Sequence, residues 1–242
     1  LAVIPFSDVL TWRSINLGLL VIFALGSINV MAVMLGGWAS RNKYAIISAA
    51  RVVSQNVAYE IPMLLVAITI IMVTGTMNLN EIVAQQAGGF WKWNVFRVDI
   101  TPLMPVTFLI FFICMLAETN RAPFDMAEGE SEIVGYHVEY SGMAFAVFQL
   151  AEYSAMILCS TMVSLVFLGG WLSPVAFLPD SAFWLFAKIS SIIFFFFWIR
   201  ATFPRYRYDQ IMRLGWKVFI PVCLVWLLVV GCWMMSPWNI WK

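Results

Sequence analysis

Six long apolar runs limit what this chain can fold into: Ile15–Leu35, Val57–Gly75, Pro102–Ala117, Met143–Leu168, Ala182–Ile199 and Trp216–Met235. A helix that crosses a bilayer needs about 20 mostly apolar residues, and in lipid only helices and closed barrels satisfy every backbone group. Runs of this length predict six transmembrane helices rather than barrel strands. Lys43–Glu60 holds no Pro or Gly and predicts a helical lead-in to the second span, with Pro62 kinking the helix beyond it. Leu79–Gln86 reads as a short amphipathic segment at the interface, followed by Trp91, Trp93 and Phe96 as interfacial anchors. The fold class is therefore an all-α polytopic membrane protein, with one amphipathic segment and two charged loops on one side, Glu118–Tyr140 and Arg200–Trp216. No repeat and no composition shift divides the chain, so residues 1–242 read as a single membrane domain.

Composition removes the other classes. Apolar types make up 62% and charged types 11%, against about 45–50% and about 25% in soluble domains. That excludes a soluble globular enzyme, a disordered chain and a disulfide scaffold. A net charge of +1 excludes a basic nucleic-acid binder. Cys114, Cys159, Cys223 and Cys232 each lie inside an apolar run, so they read as small buried hydrophobes with no metal-ligand spacing. His137 is the one histidine. With no GxGxxG and no Walker loop, neither a metal nor a redox cofactor is expected on this chain.

The few charges are unevenly placed. Nine Lys/Arg fall on the side of the two charged loops and four on the other, so the loop side faces the cytoplasm or matrix. Glu152 lies about nine residues into the fourth span, roughly 14 Å deep. A carboxylate there must face a polar interior, pair with a cation or carry a proton. Glu60 and Glu118 lie near the same side. They fit either a buried polar path or interfacial snorkelling, and Lys188 in the fifth span divides the same way. The loop ETNRAPFDMAEGESEIVGYHVEY sets Glu118, Asp125, Glu128, Glu130, Glu132 and Glu139 against Arg121 alone. Carboxylates this crowded repel one another and can exchange protons near neutral pH, or the loop is simply solvated. In RATFPRYRYDQIMRLGW, arginines alternate with aromatics. That pattern allows lipid headgroups, an acidic partner or plain positive-inside signalling.

Three stretches carry a resemblance: GGWASRNKYAIISAARVVSQNVAYEIP (36–62), AETNRAPFDMAEGESEIVGYHVEYSGM (117–143) and IRATFPRYRYDQIMRLGWKVFIP (199–221). The second and third are long and nearly gap-free. With them the whole sequence resembles subunit 1 of respiratory complex I, the proton-pumping NADH:quinone oxidoreductase. The resemblance implies a membrane-arm subunit of that enzyme, with no catalytic residue of its own. Such a subunit forms part of the quinone chamber and couples quinone reduction to proton translocation. It implies that Arg121, Asp125, Glu128, Glu130, Glu132, Arg200 and Arg205 belong to the quinone-side loops, and that Glu60, Glu118 and Glu152 belong to a buried coupling channel. Quinone is then the substrate, while flavin (FMN) and iron–sulfur (Fe-S) clusters sit in partner subunits. The implied partners are the other membrane and peripheral subunits of the complex and membrane lipids. The family has eight helices and these six resemble the last six. The first two, with the first quinone-side loop, would be absent or supplied by a second polypeptide. Ile133-Val134-Gly135-Tyr136 is one residue shorter than the usual family pattern. The last stretch, and a first residue that is not Met, favour the mitochondrial inner membrane over a bacterial cytoplasmic membrane. The rival readings are the membrane subunit of an energy-converting hydrogenase and a stand-alone proton or cation transporter.

Overall fold

The computed structural model describes residues 4–7, 15–96, 104–126, 135–175 and 177–235, and among them every regular element is helical. In order along the sequence these are α1 (Gly18–Ala39), α2 (Lys43–Thr74), α3 (Leu79–Ala84), a 3-10 turn (Phe90–Lys92), α4 (Met104–Glu118), α5 (Met143–Phe167), α6 (Ala182–Thr202), α7 (Tyr208–Leu214) and α8 (Ile220–Met235). A π-helical turn, Gly215–Phe219, joins α7 to α8. Five helices are long and apolar enough to cross a membrane: α1, α2, α5, α6 and the continuous Tyr208–Met235. The third expected span is described only from Met104, as the shorter apolar helix α4.

The expected lead-in is real. α2 begins at Lys43, runs without interruption through Pro62 and has 32 residues, about 48 Å at 1.5 Å per residue. That exceeds a hydrocarbon core of about 30 Å, so one end of α2 must stand outside it. Asn42 starts the helix: its side-chain oxygen accepts from the Tyr44 N–H at 3.0 Å and satisfies one of the first-turn donors. Gly75, at φ +70°, ends it.

The second charged loop differs from expectation. Arg200–Trp216 is not a loop throughout, because helix resumes at Tyr208. Gln210 explains the start: its side-chain oxygen accepts from the Arg207 N–H at 3.2 Å, a capping box. The last span therefore starts eight residues earlier than the apolar run implies, with the π turn inside it.

α2 is the central element and packs against α1, α4 and α8, while α5 packs against α6 and α3. The α1–α2 seam is close. A Cβ on Gly37 would lie 2.4 Å from the Ala49 Cβ, which no side chain can occupy. Gly37→Val is expected to force the helices apart at a cost of about 1–3 kcal/mol, read as a lower thermal midpoint of the purified protein. Cys114, Cys159 and Cys223 are buried as expected, but Cys232 is exposed on α8. For a spanning helix the outside is lipid, so an apolar run need not bury each member in protein.

Candidate functional site: a carboxylate and arginine cluster on the charged side

The first charged loop turns back onto the helices as soon as α4 ends. Gln55, fully buried on α2, holds it there. Its amide donates to the Ala117 carbonyl at 2.9 Å and the Phe124 carbonyl at 2.8 Å. It also reaches Asn120 Oδ1 at 3.3 Å. These bonds add a second donor to carbonyls that also accept from the Asn120 and Met126 N–H groups, at 3.2 and 3.1 Å. Tyr59, one turn along α2, donates its hydroxyl to the Ile211 carbonyl at 3.1 Å. Its ring stacks at a tilt on Phe124, with centroids 5.5 Å apart. Phe124 in turn meets Tyr206 at 5.8 Å, and the Tyr206 N–H donates to the Pro123 carbonyl at 3.0 Å. The two charged segments, far apart in sequence, are thus one packed layer over α2.

Arg121 is carried inward by this layer and is 8% exposed. Its guanidinium forms an ion pair with Glu152 on α5, Nη2 to Oε2 at 3.6 Å. The Tyr136 hydroxyl donates to the other carboxylate oxygen at 3.1 Å. Arg121 also lies over the Tyr153 ring, 4.7 Å from its centroid. Of the three outcomes open to Glu152, the structure takes the paired one. The pair alone is no evidence of stability, since desolvating two charges offsets much of their attraction. It does make each partner depend on the other.

A second group of carboxylates lies beside it. Glu60 on α2 accepts a hydrogen bond from Ser27 on α1. Glu118, the last residue of α4, is half-buried, with one carboxylate oxygen buried and without a hydrogen-bond partner. Glu60 lies within electrostatic reach of Glu118, as do the thiols of Cys114 and Cys159. Asn56, one turn before Glu60, is fully buried with neither amide atom hydrogen-bonded. Water is the usual partner of such groups.

The structure therefore pairs Arg121 with Glu152 and sets Glu60 within electrostatic reach of Glu118. Asp125 is half-buried in the same loop, whereas Glu128, Glu130 and Glu132 lie outside the described residues. Arg200 is exposed at the end of α6, and Arg205 is half-buried with an Nε that has no hydrogen-bond partner. Among the described residues neither arginine forms an ion pair with the cluster. Sequence reasoning missed Ser27, Gln55, Asn56 and Tyr136. Gln55-Asn56 was findable, since two amides side by side in an otherwise apolar lead-in call for partners. Ser27 was not, because a lone Ser in a span more often bonds its own helix.

A family model described as NADH dehydrogenase matches residues 1–231. The H subunit of the NADH-quinone oxidoreductase of Neisseria meningitidis serogroup C (strain 053442) is 53% identical over 247 aligned residues, covering all of this chain and 69% of the relative. The protein belongs to the family of NADH-quinone oxidoreductase H subunits. The same subunit from the serogroup A strain Z2491 is 52% identical, again over the whole sequence and 69% of the relative. The subunit from the serogroup C strain FAM18 is 52% identical over 68% of its length. Members of this family are membrane subunits of an enzyme complex, which agrees with the helical architecture. These relatives are bacterial, so the expected mitochondrial location finds no support in them. Their names also set this chain apart from the hydrogenase-subunit and stand-alone transporter readings.

Proposed function

We propose that this chain is a membrane-arm subunit of a bacterial NADH-quinone oxidoreductase, that its charged side walls part of the quinone chamber, and that its buried carboxylates pass the effect of quinone reduction into the membrane. One observation carries the reading: Arg121 of the loop reaches inward and pairs with Glu152 of a membrane helix. A charge change in the loop layer is thereby felt directly by a buried carboxylate. Reducing a quinone to quinol takes up two electrons and two protons. The negative charge that arises must be met by proton transfer or by moving charges. An ion pair with a tyrosine on the second oxygen can answer either way. Arg121 can swing toward the new charge, or a proton can reach Glu152 and release the arginine. Glu118 and Glu60, coupled electrostatically, extend that response toward α1. Apolar and aromatic walls suit an isoprenoid tail. FMN and Fe-S clusters belong to partner subunits, with which this chain would form one complex in the bacterial cytoplasmic membrane as a single membrane domain.

The test uses the native complex. Glu118→Gln and Glu152→Gln, and in the loop Glu128→Gln and Glu130→Gln, are expected to lower inhibitor-sensitive NADH-driven quinone reduction by about ten-fold or more. Electron transfer from NADH to an artificial acceptor should stay intact. If both activities remain at wild-type level in every variant, the cluster only packs the loop and the reading fails.

A further inference from the structure

The face opposite the charged loops holds a cavity of about 540 Å³. It lies between α3, the 169–180 segment and the start of α6. α2 ends on this face at Gly75 and α6 starts on it at Ala182. Because membrane helices begin and end here, the cavity lies at the level of the lipid headgroups. Its walls are mixed. Val83, Trp171 and Leu172 supply apolar surface, and Asn80, Asp180 and Ser181 supply polar groups. A volume of this size is within the range of small-ligand sites.

The polar groups differ in what they offer. One Asp180 oxygen accepts from the Ser173 N–H at 2.8 Å, and among the described residues no cation pairs with this carboxylate. Lys188 stands on the same side, two turns into α6, but is committed elsewhere. Its ammonium donates to the carbonyls of Leu168 at 2.6 Å, Gly170 at 2.9 Å and Leu172 at 2.7 Å. An ammonium has three protons, so none is left for Asp180. The Trp93 ring covers that nitrogen at 4.0 Å, and Lys188 is 8% exposed. It is held within the protein and does not snorkel. Asn80 Oδ1 is buried without a hydrogen-bond partner, so the polar atom Asn80 can turn to the cavity is its amide nitrogen. Ser181 precedes α6 in an extended conformation and makes no side-chain cap bond. Its hydroxyl and the first-turn N–H groups can therefore meet an acceptor. The cavity thus combines a carboxylate that suits a cation with donors and a positive helix end that suit an anion. Exposed apolar surface continues from it along α6. Phe183 and Phe186, three residues apart on one side of the helix, are 70% and 55% exposed. Phe186 stacks on Phe6, centroids 6.4 Å apart, and the next residue, Ser7, lines the cavity.

We infer that this cavity seats the headgroup of a phospholipid with a primary ammonium, a phosphatidylethanolamine. The ammonium lies on Asp180, the phosphate meets the Asn80 amide, the Ser181 hydroxyl and the α6 N-terminus, and an acyl chain follows Phe183 and Phe186. A choline headgroup has no N–H to give the carboxylate, and a glycerol headgroup brings no cation. The inference is independent of the quinone and coupling readings.

The test uses the purified protein in vesicles of phosphatidylcholine and phosphatidylglycerol, with a trace of phosphatidylethanolamine bearing a photoreactive acyl chain. Labelling of residues 181–188 is read against labelling of Val222–Val229 on the exposed side of α8. The ratio is expected to be several-fold higher for the ethanolamine lipid than for the same chain on a choline or glycerol headgroup. Asp180→Asn keeps an acceptor for the Ser173 N–H but removes the charge, and should bring the ratio down to the choline value. Asn80→Leu, which removes the amide donor, should lower it as well. Equal ratios for the three headgroups in the wild type would mean ordinary boundary lipid or a water-filled groove, and would overturn the inference. So would an unchanged ratio in Asp180→Asn. If the variants do not fold, the headgroup comparison on the wild type decides alone.

Discussion

Replacing Arg121 by Met is expected to cost about 3–5 kcal/mol, because it removes the guanidinium paired with Glu152 in a site from which water is nearly excluded. Both side chains are close to fully buried, at 10% and 13% exposed, so the solvent screening that makes surface pairs cheap does not apply. The loss should appear as a lower thermal midpoint of the complex and as less protein in the assembled fraction on a native gel. Arg121→Met/Glu152→Gln removes both charges and should recover most of the assembly, since a neutral amide can still accept from Tyr136. It should not recover quinone-linked activity. This double variant separates the two roles: packing asks only that the charges balance, while coupling asks that they be present. An Arg121→Met complex that assembles at the wild-type midpoint would show that the ion pair does not matter to the fold.

Gln55→Leu should come next in size. The substitution keeps the volume roughly constant but removes one of two donors from the Ala117 and Phe124 carbonyls, which keep the Asn120 and Met126 N–H groups. Each hydrogen bond lost costs about 0.5–1.5 kcal/mol. The consequence reaches beyond stability, since those two bonds hold the segment that delivers Arg121 to Glu152. We expect faster hydrogen exchange at the amides of residues 119–126 in the assembled complex, together with weaker quinone-linked activity. Unchanged exchange there would mean that the Tyr59–Phe124–Tyr206 stack holds the loop without help.

Some of this was legible in the residues. The apolar runs are too long for barrel strands, so in lipid they read as helices. The lead-in from Lys43 was visible as a stretch without Pro or Gly. The start of the last helix was not, because a capping glutamine three residues beyond an arginine is a weak signal among charged neighbours. Glu152 was marked by its cost: a carboxylate within an apolar run needs a reason. That reason was hidden, since its partner Arg121 lies on another segment and its other ligand, Tyr136, on the far side of the acidic stretch.

Lys188 shows the boundary best. The sequence by itself placed a lysine inside the fifth span, where charge is expensive, and left open whether it snorkels or is held there. It equally determined the apolar helices, the side on which charge gathers, and the family. Only the tertiary structure decided the answers: Glu152 by an arginine and a tyrosine, Lys188 by three carbonyls and an indole ring, Gln55 by the loop it pins. Burial and helix formation depend on residues near one another along the sequence, so one-dimensional patterns carry them. Pairing depends on which distant segments share a site, and that is set by the packing of α2 and α5 against their neighbours.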